Sequence, residues 1–314
     1  MREGSMDLTG QEPRISVVMP HLDDLANLDA CLAHLAAQRM PPERYEVIVA
    51  DNGSRAGLAA VEAVAAGRAR VVAAPERGAG PARNAGVAAA RGAILAFIDS
   101  DCRPSPDWLV AGEAALAADG AAWSDRAGSD VVGGAVRVIA ADAAAPSAVE
   151  AYELVFAFRN DLYVRRKGFT VTANMFVSRA VFAAVGPFAN GVSEDVEWCH
   201  RARALGFRLG YAPACIVAHP ARRSWDELAR KWRRTTREAH ALAPVGLLGA
   251  LRWLARAWLV LLSALPQSWR ILRSSDLPAR RTRLGAVMVL LRIRGFRFAE
   301  AHRLAFGLSQ EVVR

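Results

Sequence analysis

The chain has only four cysteines, at positions 31, 102, 199 and 215, and none stands in a C-x-x-C pair. Neither a disulfide framework nor a zinc site is suggested, and a reducing cytosol fits best. The first dozen residues lack an apolar core and carry Gly4 and Gly10, with Pro13 just after, so a flexible tail over 1–12 and no signal peptide are expected. No arginine-free apolar stretch reaches the roughly 20 residues needed to span a bilayer, so a simple transmembrane helix is not expected. In "ERGAGPARNAG" Arg83 stands where a G-x-G-x-x-G dinucleotide fingerprint needs glycine. No Gly-Lys-Ser/Thr follows either, so the loop is not a P-loop.

What is present is a chain of 314 residues, 53% hydrophobic, which excludes a mostly disordered polypeptide. The length suits one large domain, or one domain with an appendage. The net charge of +9 is unevenly placed: residues 221–314 carry 19 Lys+Arg against 6 Asp+Glu, and the remainder 21 against 25. A basic C-terminal third on a nearly neutral body implies an anionic partner, nucleic acid or a membrane surface.

Up to about residue 220, strands and helices alternate. Residues 15–19, 45–50, 71–74 and 94–98 read as strands. Asp23 or Asp24 can cap a helix whose Leu25, Leu28, Leu32 and Leu35 share a face. This order implies an α/β fold with a doubly wound parallel sheet, helices on both faces, and ligands at the carboxyl ends of the strands. Pro20, Asp51, Asn52, Asp99 and Asp101 all fall just past strand ends. The loop at Gly78 and Gly80, with Arg83 behind it, is an ordinary turn or a phosphate cradle. Residues 131–138 and 169–179 read as further strands, with Gly133 and Gly134 permitting close approach of a ligand or another backbone. A helix then starts at Ser193 and stops near Gly206, with Glu194 and Asp195 in its first turn. Acids there complement the helix dipole whether or not they do chemistry.

The run "AILAFIDSDC" leads a buried strand into Asp99 and Asp101. Residues i and i+2 of an extended chain point to one side, so two carboxylates converge on one point. A divalent cation removes their repulsion, and hard oxygen ligands suit Mg²⁺ or Mn²⁺. An acidic loop ahead of a helix is the plainer alternative.

The segments "ISVVMP", "VIVADNGS", "GAGPARNAGVAAARGAILAFIDSDCRPSPDWL", "TANMFVSRAVFAAVGPF" and "SEDVEWCHRARALGF", in this order over about residues 15–210, resemble the family 2 glycosyltransferases, inverting enzymes of the GT-A fold. The resemblance implies a GT-A domain over 13–220 and transfer of a sugar from a nucleotide-sugar donor to a glycan or lipid-linked acceptor. It implies that Pro20, Asp51 and Asn52 line the nucleotide pocket, with Arg83 near that pocket or the diphosphate. Asp99 and Asp101 match the family's D-x-D, which holds metal and nucleotide sugar; Asp195, beside Glu194, matches the general base; Asn174 lies in a segment that contacts donor or acceptor. His219, in "CIVAHP", is either a third metal ligand or a packed histidine. The Q-x-x-R-W signature of processive synthases is missing, so transfer of one sugar or few is expected. A sugar-phosphate nucleotidyltransferase and a non-catalytic, membrane-bound nucleotide-sugar module are the alternatives.

Past residue 220, Ser224 to Glu227 forms S-x-x-E, a capping box opening a helix with Arg230, Lys231, Arg233, Arg234 and Arg237. In the apolar segment that follows, Arg252, Arg256, Ser263, Gln267 and Arg270 make one narrow polar face, interrupted by Pro266 and flanked by Trp253, Trp258 and Trp269. A basic amphipathic helix with tryptophans suits a membrane interface, and residues 283–298 read as a second such segment. The long apolar runs argue against nucleic acid as the partner. Residues 221–314 are therefore expected to hold the protein on the cytoplasmic face of the cell membrane, or else to cap the catalytic domain.

Overall fold

The computed structural model describes residues 12–117, 128–241 and 243–308. The tail expected over 1–12 lies outside them, apart from its last residue. In chain order the elements are β1 (Ile15–His21), α1 (Leu25–Ala36), β2 (Tyr45–Asp51), α2 (Leu58–Ala65), β3 (Arg70–Ala73), α3 (Ala79–Ala89), β4 (Ile94–Phe97), β5 (Arg103–Pro104) and α4 (Trp108–Ala117). They continue with β6 (Val131–Ile139), α5 (Ala148–Phe156), α6 (Asn160–Leu162), β7 (Met175–Ser178), α7 (Arg179–Val185), α8 (Glu194–Ala204) and β8 (Leu209–Pro220). Four helices close the chain: α9 (Trp225–Ala241), α10 (Leu247–Leu262), α11 (Ala264–Leu272) and α12 (Arg280–Ala305).

The chain divides into two compact units, one of residues up to Arg137 with Phe158–His219, the other of Val138–Ala157 with residues from Pro220 onward. The last of the three boundaries falls between His219 and Pro220. Residues 138–157, read from sequence as catalytic domain, belong to the helical unit.

The sheet runs β3-β2-β1-β4-β7-β6-β8-β5. The β1–β2, β1–β4 and β2–β3 pairs are parallel, as expected. The other half is not: β4–β7, β6–β7 and β5–β8 are antiparallel, so the sheet is mixed. Residues 169–179 also hold less strand than expected. Thr172–Asn174 make a tight 3-10 turn, closed by Asn174 N–H donating to Val171 C=O, before β7 begins.

Strands buried on both faces divide their side chains between two cores. Val17, Met19, Ala96 and Ile98 join α1 and Trp108 on one side, while Val18, Leu95 and Phe97 join Trp198 and Phe182 on the other. Gly134 serves a backbone approach: a Cβ there would collide with Asn174 and the Cys215 carbonyl. All four cysteines are free and buried.

In the helical unit α12 buries Ala286, Val289, Leu290 and Ile293 and leaves Leu284, Met288 and Leu291 exposed, so residues 283–298 pack with one face and present apolar side chains on another. Ser224 Oγ accepts from Glu227 N–H, but Glu227 reaches Arg223 N–H, so the expected capping box closes one residue early. Leu247–Leu272 is long and apolar enough, by length and composition alone, to cross a membrane. The break falls at Ser263, three residues before Pro266, whose ring nitrogen cannot donate back to the preceding turn. Trp253 leaves the expected interfacial set: it is buried, with Nε1 donating to Ala301 C=O at 2.9 Å.

Candidate active site

The β1–β2 register sets Pro20 beside Ala50 and His21 beside Asp51 at the carboxyl end of the sheet. Asp51 is buried and accepts from Ser54 N–H at 3.2 Å and from the Ser54 hydroxyl, with His21 Nδ1 at 3.2 Å. Burial opposes ionisation, but these hydrogen bonds outweigh it and hold the carboxyl below its ordinary range. His21 and Ser54 are partners that nothing in the spacing of the sequence identified.

Asn52 does not offer its amide to a ligand. Its Nδ2 donates to Ala74 and Glu76 carbonyls at 2.8 and 2.7 Å, and its Oδ1 accepts from Gly78 N–H at 2.8 Å. The side chain staples the end of β2 to the glycine loop.

Arg83 departs from its expected role too. Its side chain is almost wholly buried, and the guanidinium donates to Asp99 Oδ1 at 2.6 Å and Glu194 Oε1 at 2.8 Å. With two carboxylates to neutralise, it is not a free phosphate donor. Burial alone would lower its pKa, but the charges of Asp99 and Glu194 raise it instead. Asn84 explains how residues so far apart in sequence meet: its amide donates to Phe188 C=O and accepts from Phe188 N–H, both at 2.9 Å. Asn190 adds bonds to Glu76 and the Arg77 carbonyl at 3.0 Å. The loop leading into α8 is thereby tied to the loop leading into α3.

Asp195 sits half-buried in the first turn of α8, with Oδ1 accepting from Val196 N–H at 2.8 Å. Burial and the charge of Glu194 push its pKa up to about 7, against the opposing pull of Arg83. A carboxylate tuned to neutrality is fit for general base work. Ser193 occupies the N-cap position without the side-chain cap hydrogen bond expected of it.

The short β5 strand pairs with β8, Arg103 opposite Ala218. That register brings Asp101 to His219, with Oδ2 and Nε2 3.4 Å apart. Asp101, Cys102 and His219 place one ligand atom each within 4.8 Å of one another. A carboxylate with an imidazole suits Mn²⁺ better than Mg²⁺, which prefers oxygen ligands alone. The Cys102 thiol is held well above its ordinary pKa by burial and by the charges of Asp99 and Asp101, so it stays neutral. His219 is buried and also stacks 4.3 Å from the Phe158 ring, so the ligand and packed-ring readings are compatible.

Asn174 is a correction. It is wholly buried, Oδ1 accepts from Trp108 Nε1 at 2.9 Å, and Nδ2 donates to the Ala135 and Cys215 carbonyls at 2.9 Å. Every polar atom of the amide is used inside the fold, which leaves nothing for donor or acceptor.

A mixed sheet with acidic groups at strand ends, and a second acid pair opening α8, defines a GT-A glycosyltransferase. Residues 16–184 match the profile of Glycosyl transferase family 2, and the chain belongs to that family. It is 32% identical over 232 residues to Glycosyltransferase AglE of Haloferax volcanii, a match covering 72% of this chain and 73% of that protein. The fold is similar to that of the mannosyltransferase PcManGT from Pyrobaculum calidifontis, solved in complex with GDP-Man and Mn2+. The TM-score is 0.59 at 17% identity, covering 96% of this chain and 89% of the other.

Proposed function

We propose that the chain is a metal-dependent, inverting hexosyltransferase that moves one sugar from a nucleotide-sugar donor to a glycan or lipid-linked acceptor at the cytoplasmic face of the cell membrane. The product would belong to cell-surface polysaccharide or glycolipid. The observation that carries this reading is the single Arg83 guanidinium joining Asp99 of the D-x-D to Glu194 beside Asp195. It supports the reading because it ties the proposed leaving-group side and base side to one buried side chain.

Pro20 and Asp51 form the floor of the nucleotide pocket, held by Ser54, His21 and the Asn52 staple. Asp101 and His219, with Asp99 as the other acid of the D-x-D, would hold a divalent cation such as Mn²⁺, which would supply Lewis-acid neutralisation of the diphosphate leaving group. Asp195 accepts the proton of the acceptor hydroxyl as that oxygen attacks the anomeric carbon, and inversion follows from attack opposite the leaving group. Glu194 raises the basicity of Asp195, and Arg83 keeps the pair from becoming too basic to ionise.

Membrane association is proposed from the helical unit. Leu247, Leu248, Leu251, Trp258, Leu259 and Leu262 of this segment are all more than half exposed, in a unit that carries the chain's excess positive charge. Exposed apolar area of this kind beside arginines suits anionic lipid.

Calorimetric titration with UDP, GDP and dTDP, with Mn²⁺ and with chelator, tests the donor site. Metal-dependent binding of one nucleotide, lost in Asp101→Ala, is expected. Asp195→Asn should then retain that binding and lose transfer. Absence of binding to all three by well-folded protein would overturn the donor-site assignment, and transfer by Asp195→Asn at the wild-type rate would overturn the base.

A further inference from the structure

Outside the acidic rim, the first unit contains an open cavity of about 460 Å³. It lies between a wide turn of π-type helix, Tyr163–Lys167, the last turn of α8 and the start of β8. Five cations line it, Arg165, Arg166, Lys167, Arg203 and Arg208, and no lining residue carries a carboxylate.

The arrangement is held in place. Lys167 Nζ lies 4.9 Å from the centre of the Tyr163 ring, Arg165 lies 5.6 Å from that of Tyr211, and Asp130 steadies Arg208 at 3.6 Å. Gly168 closes the turn with φ +72 and donates its N–H to Tyr163 C=O; a Cβ there would collide with the Arg203 guanidinium. Glycine at this position therefore admits Arg203 against the three successive cations. Like charges gathered on one wall repel one another, and an anion with several acceptor oxygens relieves that repulsion by taking charge-assisted hydrogen bonds from more than one of them.

We propose that this cavity is a binding site for a phosphate or diphosphate group, separate from the donor site. Guanidinium forks match the tetrahedral oxygens of phosphate, and a cavity of this size admits a diphosphate. Two sources share this chemistry: the phosphate of a lipid-linked acceptor, an identification that rests on the transferase reading, and the headgroup of an anionic phospholipid. The turn that carries three of the cations begins at Tyr163, whose phenol pKa is raised chiefly by burial, with a contribution from the Asp195 charge. Asp195 lies in the first turn of α8 and the cavity-lining Arg203 in its last, about 12 Å along the helix at 1.5 Å per residue, as an acceptor with its hydroxyl at Asp195 and its phosphate in the cavity would require.

The test uses full-length protein in chelator, which suppresses metal-dependent binding at the donor site, and titrates inorganic pyrophosphate by calorimetry. Arg166→Ser/Lys167→Ser and, separately, Arg203→Ser are expected to weaken pyrophosphate binding about tenfold or more. An Arg14→Ser/Arg39→Ser variant, which removes the same charge elsewhere on the unit, should bind as wild type does. All five lining cations are exposed, so their replacement should leave the thermal midpoint and Mn²⁺-dependent nucleotide binding unchanged. Geranyl phosphate, and vesicles of phosphatidylglycerol compared with phosphatidylcholine, separate the sources: the acceptor phosphate is assigned by loss of the first in the cavity variants, the headgroup by loss of the second. Pyrophosphate binding that is undetectable in wild type, or equal in wild type and cavity variants, would overturn the proposal. Failure of nucleotide binding would count against the transferase reading and leave the pyrophosphate result standing.

Discussion

Arg83 Nη2 stands 2.6 Å from Asp99 Oδ1, and the arginine side chain is almost entirely withdrawn from solvent. Its other terminal nitrogen reaches Glu194 at 2.8 Å. A buried charge of this kind is tolerated because both neighbours are carboxylates; removing one partner would leave an uncompensated charge. The same guanidinium lowers the pKa of Asp195, so in the proposed mechanism Arg83 acts through the two acid pairs as a positioning residue.

A shift in the pH profile follows. As the proposed base, Asp195 accepts a proton only when ionised, so transfer should rise with pH through about 7. Arg83→Met removes the charge that lowers this pKa, and the rising limb should move to higher pH. Glu194→Gln removes a charge that raises it, and the limb should move to lower pH. A limb unmoved by either change would exclude Asp195 as its source.

Stability carries the same signature with a defined sign. The folded-state pKa of Asp195 lies above the ordinary carboxylate value, so the native state binds a proton that the unfolded chain releases. Its contribution therefore falls as pH rises from about 4 to about 7. Asp195→Asn should melt higher than wild type at pH 8, and the advantage should vanish near pH 4, as read by thermal denaturation.

His219→Ala should weaken Mn²⁺-dependent nucleotide binding by at least about tenfold, since even groups that only support metal ligands have effects of that size. Binding measured in chelator should not change. An unaltered Mn²⁺ dependence would leave His219 as a packed ring against Phe158.

Asn174→Ala strands the Trp108 indole N–H and the carbonyls of Ala135 and Cys215. Each unsatisfied buried group costs about 1–3 kcal/mol, so the urea midpoint should fall markedly while the nucleotide Kd of folded protein stays constant. The reverse pattern, weaker binding at full stability, would return Asn174 to the ligand site.

In the helical unit, Trp258→Ala with Leu259→Ser should reduce co-sedimentation with phosphatidylglycerol vesicles, because both side chains are more than half exposed. Trp253→Ala should instead lower stability, since that indole is buried against α12. Equal vesicle binding by the first variant and wild type would remove this face from the interface.

Local chemistry was legible in the sequence wherever it is carried by neighbours along the chain. Strands β1 to β4, the Asp24 cap that accepts from Asn27 N–H, and Asp99 and Asp101 at a strand end all follow from periodicity and turn residues. So does the close backbone approach at Gly134. The order of the motifs identified the family because five weak patterns in sequence are improbable by chance.

Tertiary structure decided the rest, because it depends on which distant groups share a place. Asn52, Arg83 and Asn174 looked like ligand contacts, yet each hydrogen-bonds to partners within the chain, up to 111 residues away. The antiparallel pairs β4–β7 and β5–β8 created the juxtaposition of Asp101 and His219, 118 positions apart, which no local pattern encodes. Residue type and spacing fix how a segment folds and which chemistry it can carry. Long-range pairing decides whether a side chain faces a ligand or another part of the same chain, since a buried polar atom must be satisfied by whatever the fold brings within reach.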